Sequence, residues 1–555
     1  METKLLFHTV NAFAGSGKTY QALRWALTEA AIDRRKTVIV FKSKELIRQA
    51  YDDAIAHADQ IDLQVPITVI HSNAKFRVHQ PASVSRQIHA HLATASPHEG
   101  EILMITEAAF LNQQHWPKRY QWTIICDEIP DITPAMQVNL PENHHLLTQH
   151  LQLKQGGDKY SEIGFVGNGK AALTEIAENP SRDDVNKVLA PLAKRLVHPQ
   201  YRCFVLTTQY EALIKQEGDA KRRQLEAFAL LKPSIFGTGE FRNAAGDLSV
   251  GDIQDRFKDV IIMGAGFDIS LMANIWPGLD VQFEPHTELG QKLRYTQHSC
   301  GQRLLIRYVF EQDWSKYFAG SVSEFDGGEV ENFEILQQVC QQEFGDQPFA
   351  YLCNTDRETE LKTTFSSNAQ QLPNAPWGLN DYQAIHNVGI LSALNPTPAH
   401  LGFLNFLCRN ADDVRDALFH SHVYQAVMRC GLRDLRSNVP VKVLVPDAKS
   451  AQALASYFPG CRVEPLNIEI SRTAPKKGGR PKLEDPKPTK QVLQETRKRQ
   501  RALSKEIKRI ESGGAVDLPL MEKFQQECRS NNTRWMRLQH LVAQIESKQS
   551  PTAAG

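Results

Sequence analysis

The sequence predicts an α/β protein with two tandem domains, each built on a parallel sheet, followed by a helical C-terminal element. Short β-rich runs alternate with helical patterns through the first third of the chain, and a second such series begins near residue 304. This alternation is typical of βαβ units. After about residue 465 the pattern changes to a Pro- and Lys-rich stretch and then to helical periodicity. A chain of 555 residues can hold several domains of this size.

The first predicted domain covers residues 1–290 and carries an insertion at about 132–200, where turn-rich stretches interrupt the alternation. Its predicted strands are Leu5–Val10, Thr37–Phe41, Ile67–His71, Ile102–Ile105 and Trp122–Cys126. Two later runs, Cys203–Leu206 and Val260–Met263, are predicted to return to the same sheet.

The second predicted domain covers residues 291–465, followed by a basic linker at 466–490 and a helical hairpin at 491–555. Its predicted strands are Leu304–Val309, Phe349–Cys353, Val388–Leu391 and Val441–Val445. In the hairpin, one apolar helix face is predicted from the 3-4-3 spacing of Leu538, Leu541, Val542 and Ile545. These helices are also a possible contact for a protein partner.

Composition is ordinary for a globular protein, with 41% hydrophobic and 23% charged residues. No apolar run reaches the roughly 18 residues that a membrane span needs. The nine cysteines include no Cys-x-x-Cys pair, which argues against a zinc or iron–sulfur site and indicates reduced thiols. We therefore expect a cytoplasmic protein with no membrane partner.

Positive charge is concentrated in one segment. Between Arg472 and Arg509 there are 14 lysine and arginine residues against 4 acidic ones, although the whole chain has a net charge of +1. Such a segment favours a polyanionic partner. A solvated linker would have the same composition, and the sequence leaves both interpretations open.

A glycine-rich loop follows the first predicted strand. Residues 12–19 read Ala-Phe-Ala-Gly-Ser-Gly-Lys-Thr and lead into a helical pattern, the context of a Walker A phosphate-binding loop. The glycines let backbone N–H groups point at phosphates, the lysine neutralises phosphate oxygens, and the threonine hydroxyl coordinates Mg²⁺. The residues predicted to bind ATP are Ala14, Gly15, Ser16, Gly17, Lys18 and Thr19.

A second stretch has similar spacing. Residues 164–170 read Gly-Phe-Val-Gly-Asn-Gly-Lys, but Ala171 follows the lysine and offers no ligand for magnesium. No strong strand pattern precedes it. We predict a turn within the insertion.

Two acidic residues end the fifth predicted strand, where the sequence reads Trp-Thr-Ile-Ile-Cys-Asp-Glu over 122–128. At the carboxyl edge of a parallel sheet they would lie beside the phosphate-binding loop. Asp127 is predicted to hold Mg²⁺, and Glu128 to orient and deprotonate the attacking water.

Further stretches resemble the motifs of superfamily 2 helicases, which implies two RecA-like domains that hydrolyse ATP at their interface. The similar stretches are residues 41–49 and 105–110, which resemble nucleic-acid-contacting motifs, 262–267, which has glycines in place of the Ser-Ala-Thr hydroxyls, and 377–382, which resembles the fifth motif. The loop at 12–19 also suits superfamily 1.

The sixth motif gives the sharpest resemblance. Residues 425–433 read Gln-Ala-Val-Met-Arg-Cys-Gly-Leu-Arg, similar to the helix that carries a glutamine and two arginines in superfamily 2. The resemblance assigns Gln425, Arg429 and Arg433 to catalysis, with an arginine reaching the γ-phosphate from the second domain. A four-residue spacing keeps both arginines on one face of a helix. The sequence leaves open which of the two is the arginine finger, the residue that contacts the γ-phosphate.

The resemblance implies an ATP-dependent helicase or translocase that requires ATP and Mg²⁺. We expect nucleic acid as the partner, with DNA favoured, in single-stranded or junction form. Two alternatives remain: an RNA helicase, and an ATP-gated protein that binds or remodels nucleic acid without unwinding it.

Overall fold

The structure is a computed structural model, and the chain forms two compact units, Met1–Arg472 and Thr473–Gly555. The residues that it describes are 5–72, 83–140, 142–154, 159–215, 224–237, 255–374, 382–393, 396–408, 414–471, 502–512, 514–527, 538–539 and 541–542. No helix in these ranges has the length and apolar character to cross a bilayer.

The strands and helices of the described ranges alternate through the first unit. The strands are β1 Leu5–Asn11, β2 Lys36–Phe41, β3 Ile67–Ile70, β4 Glu101–Thr106, β5 Trp122–Cys126, β6 Ala135–Asn139, β7 Leu151–Leu153, β8 Tyr160–Phe165, β9 Tyr201–Leu206, β10 Gln224–Leu231, β11 Asp259–Gly264, β12 Val281–Pro285, β13 Leu304–Phe310, β14 Val322–Phe325, β15 Gly328–Glu331, β16 Phe349–Leu352, β17 Ala369–Gln371, β18 Asn387–Ile390, β19 Val441–Asp447, β20 Arg462–Pro465 and β21 Ile470–Ser471.

Helices connect most of these strands. They are α1 Lys18–Ile32, α2 Lys44–Gln60, α3 Val84–Thr94, α4 Glu107–Asn112, α5 His145–Thr148, α6 Gly169–Glu178, α7 Asp184–Val197, α8 Thr207–Ile214, α9 Leu271–Ile275, α10 Thr287–Gln291, α11 Lys316–Ala319, α12 Asn332–Phe344, α13 Glu358–Thr364, α14 Pro398–Leu407, α15 Ser421–Val427, α16 Ala448–Ser456 and, in the second unit, α17 Leu518–Glu527.

The first sheet is parallel throughout, with the described strands in the order β12-β1-β11-β5-β2-β4-β3. Its central strands β2 and β5 are buried at every position, as expected for strands covered on both faces. Separate apolar clusters cover the two faces. Because all strands run the same way, the ends of β1 and β5 lie at one edge of the sheet, with β11 between them.

The insertion forms its own sheet, and one strand prediction was wrong. Strand β9, predicted over Cys203–Leu206 to join the first sheet, pairs antiparallel with β8 and β10 instead. The described strands of this sheet run β6-β10-β9-β8-β7, so it extends from Ala135 to Leu231. An apolar run shows that a strand is buried but not which strand it pairs with. The run Val260–Met263 does return to the first sheet, as β11.

The second domain repeats the parallel design. Its described strands lie in the order β17-β16-β18-β19-β13-β20, all parallel, with apolar clusters on both faces. The first unit also contains a small antiparallel sheet in the order β15-β14-β21, which includes the last strand of the unit. The predicted fold class, α/β with two parallel-sheet domains in tandem, is confirmed. Among the strands of the two parallel sheets, β12, β17 and β20 were not predicted.

Helix α14 of the second domain packs on the insertion sheet of the first. The ring of Phe403 stacks on Phe228 of β10, with 4.9 Å between centroids and 17° between planes. The Tyr160 hydroxyl of β8 donates a hydrogen bond of 2.9 Å to the Ala399 carbonyl. We call this contact the aromatic stack.

The second unit has a small apolar core of its own. A helix over residues 502–511 packs against α17 and the helical residues 538–539 and 541–542. The buried side chains are Leu503, Ile507, Ile510, Phe524, Leu538 and Val542. Two of the four predicted face residues are thus buried and Leu541 is partly buried, while Ile545 lies outside the described residues. The basic linker was predicted to begin at residue 466, but residues 466–471 still belong to the first unit and end in β21; the rest of the linker lies outside the described residues.

Candidate nucleotide-binding site

The loop between β1 and α1 has the backbone of a phosphate cradle. Gly15 and Gly17 both have φ of +85°, a left-handed conformation that strains any residue with a Cβ. Gly17 is the N-cap of α1 and has no side chain to satisfy the first N–H groups of the helix. These groups, with the positive end of the helix dipole, form an anion-binding end.

The structure brings the loop and the acidic pair together. The Lys18 ammonium forms an ion pair with the Glu128 carboxylate, and both side chains are largely buried. The Thr19 hydroxyl donates a hydrogen bond of 2.7 Å to Asp127 Oδ1. This contact follows from the parallel order of the sheet. Strands β1 and β5 end at the same edge, so Thr19 and Asp127 come together although they are 108 positions apart in the sequence.

Asp127 is buried, with 3% of its surface exposed. Burial raises the pKa of its carboxyl to about 6, and the neighbouring Glu128 charge adds to this. The Lys18 ammonium, the Thr19 hydrogen bond and the Arg429 charge oppose the rise in pKa. The carboxylate is therefore held in place at a cost in folding free energy.

The residues present suit a magnesium nucleotide. A hydroxyl and a carboxylate, from Thr19 and Asp127, are the oxygen ligands that Mg²⁺ prefers. Lys18 and the first N–H groups of α1 supply positive charge for phosphate oxygens. The Ser16 hydroxyl is buried inside the loop with no hydrogen-bond partner in the described part of the chain. A polar ligand would satisfy it.

We predict that Asp127→Asn stabilises the nucleotide-free protein at neutral pH. The folded pKa lies above the unfolded value, so the protonated carboxyl is the form that the fold favours. Its contribution to stability is therefore present at low pH and lost as the pH rises through about 6. The neutral amide should add about 1–3 kcal/mol to the free energy of unfolding at pH 8 and little at pH 4.

Urea unfolding without nucleotide or magnesium measures this difference. Asp131→Asn is the matched control, because Asp131 is an exposed acid in the same loop and should change neither curve. A lower stability of the Asp127→Asn protein than of the wild type at pH 8 would contradict the prediction.

Arg433 lies against the loop and the Arg429 charge interacts with the acidic pair, but the two arginines do not share a helix. Helix α15 ends at Val427, so Arg429 follows its end and Arg433 closes a 3₁₀ turn, Gly431–Arg433. The predicted common helix face was therefore wrong. A π-helical turn, Asp416–His420, runs directly into α15, and π turns are frequent near functional sites.

Arg429 is the arginine that faces the acidic pair. It is 7% exposed, and burial with the nearby Arg433 charge lowers its pKa to about 10, while Glu128 and Asp127 raise it. Arg433 lies against the loop itself, with its Cγ 3.6 Å from the position that a Cβ would take on Gly15. Gln425 is buried on α15, and its catalytic role stays a prediction.

Several residues at the loop were missed in the sequence. The Tyr295 hydroxyl donates to the Ala14 carbonyl at 2.7 Å, and the Arg294 amide donates to the Ser16 carbonyl at 2.9 Å. Tyr424, one residue before Gln425, accepts a hydrogen bond from the Ala14 amide. No motif marks these tyrosines, because their contacts depend on how the two domains meet.

The remaining motif-like stretches are placed as follows. Residues 41–49 form the end of β2 and the start of α2, and Thr106 caps α4 by accepting a hydrogen bond from Ala109. In residues 262–267, a Cβ on Gly264 would lie 2.4 Å from Ile129, which explains a glycine at that position. Residues 377–381 lie outside the described residues.

The second glycine-rich stretch is a strand–turn–helix rather than an isolated turn. Strand β8 precedes it and α6 follows it, so the expectation of no preceding strand was wrong. Strand β8 belongs to the antiparallel sheet of the insertion, and Lys170 is exposed.

No protein-family model matches the chain, and a search of curated proteins finds no match either. Among solved structures, the chain is similar to an XPD helicase, with 12% identity and a TM-score of 0.45 over 83% of this chain and 96% of that chain. It is also similar to S. cerevisiae Dbp5 bound to RNA and ADP BeF3, with 9% identity and a TM-score of 0.34 over 83% of this chain and 85% of that chain. Likenesses at these identities concern the fold and not activity.

Proposed function

We propose that the protein is an ATP-dependent helicase or translocase that acts on nucleic acid, with DNA as the favoured substrate. One observation carries the proposal. A lysine, a threonine and two acids of the first domain meet at one glycine-rich loop. From the second domain, the Arg429 charge interacts with both acids and Arg433 lies against Gly15. Hydrolysis at such a site requires both domains, which is how chemistry is coupled to domain movement.

The Lys18–Glu128 ion pair suggests how the chain prepares for hydrolysis. Lys18 would leave Glu128 to contact phosphate oxygens, since a triphosphate carries more negative charge than one carboxylate. Glu128, without its cationic partner, would then orient and deprotonate the attacking water. Thr19 and Asp127 would hold Mg²⁺, which neutralises charge on the phosphate oxygens.

Arg429 would stabilise the transition state from the second domain. Its guanidinium lies in a buried setting beside both acids, where charge interactions are stronger than in water. Charge that develops on the transferred phosphoryl group would meet this cation. The arginine is positioned only when the two domains are together, which links hydrolysis to domain closure.

The choice of nucleic acid and the use of the energy are tested by stimulated hydrolysis. ATPase activity that rises with single-stranded DNA but not with single-stranded RNA would support the DNA assignment. The reverse result would favour an RNA helicase. Stimulation without strand separation or translocation, measured on duplexes with 3′ or 5′ overhangs, would favour an ATP-gated binding protein.

We predict that truncation after Arg472 weakens DNA binding and reduces its dependence on salt. The cut keeps β21, which pairs with β14, and removes the second unit with most of the 14 basic residues of the 472–509 segment. Each lost phosphate contact lowers the slope of log Kd against log salt by about 0.7 to 0.9. Fluorescence anisotropy from 50 to about 300 mM salt measures that slope.

The ATPase activity of the truncated chain without DNA serves as the internal control for folding. An unchanged salt slope with normal basal hydrolysis would show that the tail is a spacer.

A further inference from the structure

Ala14, just before the first glycine of the loop, has both of its backbone polar groups bound by tyrosines. Its amide donates a hydrogen bond of 2.9 Å to the hydroxyl of Tyr424. Its carbonyl accepts one of 2.7 Å from the hydroxyl of Tyr295. Tyr295 lies between α10 and β13, at the start of the second domain, and Tyr424 lies on α15 of the same domain. The loop is therefore tied to the second domain through its own backbone.

The Tyr424 hydroxyl also makes a hydrogen bond with a histidine. Its hydroxyl lies 2.8 Å from Nε2 of His298, and burial lowers the pKa of that histidine to about 4, so the ring is neutral at pH 7. Since the Tyr424 oxygen accepts from Ala14, its own proton is available to Nε2. Hydrogen bonds in such a chain strengthen one another in a buried setting.

Aromatic packing holds the Tyr424 ring. The Tyr457 ring stacks on it, with 4.1 Å between centroids and 18° between planes. The ring of His298, which also contacts Tyr424, lies against the ring of Phe13, the loop residue before Ala14. The centroids of the Phe13 and His298 rings are 4.9 Å apart. Tyr424 is 1% exposed, so its hydroxyl has little freedom to choose another partner.

The same short segment carries the arginines. Tyr424 precedes Arg429 by five residues, and Arg433 lies against Gly15, the residue after Ala14. We propose that Tyr424 is a positioning residue, whose hydroxyl bond to the Ala14 amide sets where Arg429 stands relative to the phosphate-binding loop. This inference rests on the proposed ATP hydrolysis and adds a residue to that site.

Tyr424→Phe tests the proposal, because it removes the hydroxyl and keeps the ring. We expect kcat for ATP hydrolysis to fall about 10-fold, the effect of one buried hydrogen bond, while the Kd for ATP changes less than about 3-fold. Tyr457→Phe is the matched control. Its ring belongs to the same stack, its hydroxyl makes no hydrogen bond within the described ranges, and kcat should stay at the wild-type value.

A double-mutant cycle separates positioning from a general loosening of the fold. In an Arg429→Lys background, where the guanidinium fork is already lost, Tyr424→Phe should lower kcat less than about 3-fold. A full 10-fold loss in both backgrounds would overturn the proposal, as would an unchanged kcat in the single variant or a parallel loss of ATP affinity. A wild-type protein without ATPase activity would instead refute the proposed function.

Discussion

Lys18→Ala is expected to reduce ATP hydrolysis to background, a loss of about 10³-fold or more. In the structure the Lys18 ammonium is the positive charge that the loop itself contributes. Lys18 is the first residue of α1, and its ammonium forms an ion pair with Glu128. Alanine would leave the triphosphate without this charge and would leave Glu128 without its partner. A phosphate-release assay at saturating ATP measures the loss.

The chain provides a matched control for this experiment. Lys170 follows the second glycine-rich stretch and is exposed on the insertion, so Lys170→Ala should hydrolyse ATP at the wild-type rate. Turnover in the Lys18 variant close to that of the control would refute the phosphate assignment.

Arg429→Ala is expected to lower kcat by about 10³- to 10⁵-fold while ATP binding is largely kept. The side chain is buried next to both acids, where it can meet charge that develops only in the transition state. Ground-state binding of ATP depends mainly on the loop of the first domain. Single-turnover hydrolysis and equilibrium binding of a fluorescent ATP analogue separate the two effects.

Comparison with other arginines of the same segment settles the assignment of the finger. Arg433→Ala should cost less in kcat than Arg429→Ala, because Arg433 packs against Gly15 rather than facing the acids. Arg436→Ala should cost nothing, since 96% of that side chain is exposed. A larger loss for Arg433 than for Arg429 would reverse the assignment.

The parallel sheets and the meeting of Lys18 with Glu128 could be predicted from the sequence for one reason. Strands buried on both faces, as β2 and β5 are, leave unbroken apolar runs. The carboxyl ends of such strands share an edge of the sheet, so residues placed there meet without further information. Local periodicity is sufficient for this part of the fold.

The predictions that were wrong concern contacts between residues far apart in the sequence, which local periodicity does not reveal. Strand β9 has the same apolar character as a strand of the parallel sheet, and only its partners show that it belongs to the insertion. Helix α15, which continues from the π turn, ends at Val427, so Arg429 and Arg433 lie beyond the helix on which the sequence spacing had placed them. Tyr295 and Tyr424 were missed because their contacts join residues 281 and 410 positions apart.

The aromatic stack between α14 and the insertion sheet has a mechanical consequence. The two domains are attached at a second place besides the phosphate-binding loop, through Phe403 on Phe228 and Ala399 on Tyr160. A body held at two points cannot slide away from its neighbour without breaking one of them. If the loop contacts break while the aromatic stack holds, the second domain can move only by rotating about the stack. The insertion would then be the fixed point of that rotation.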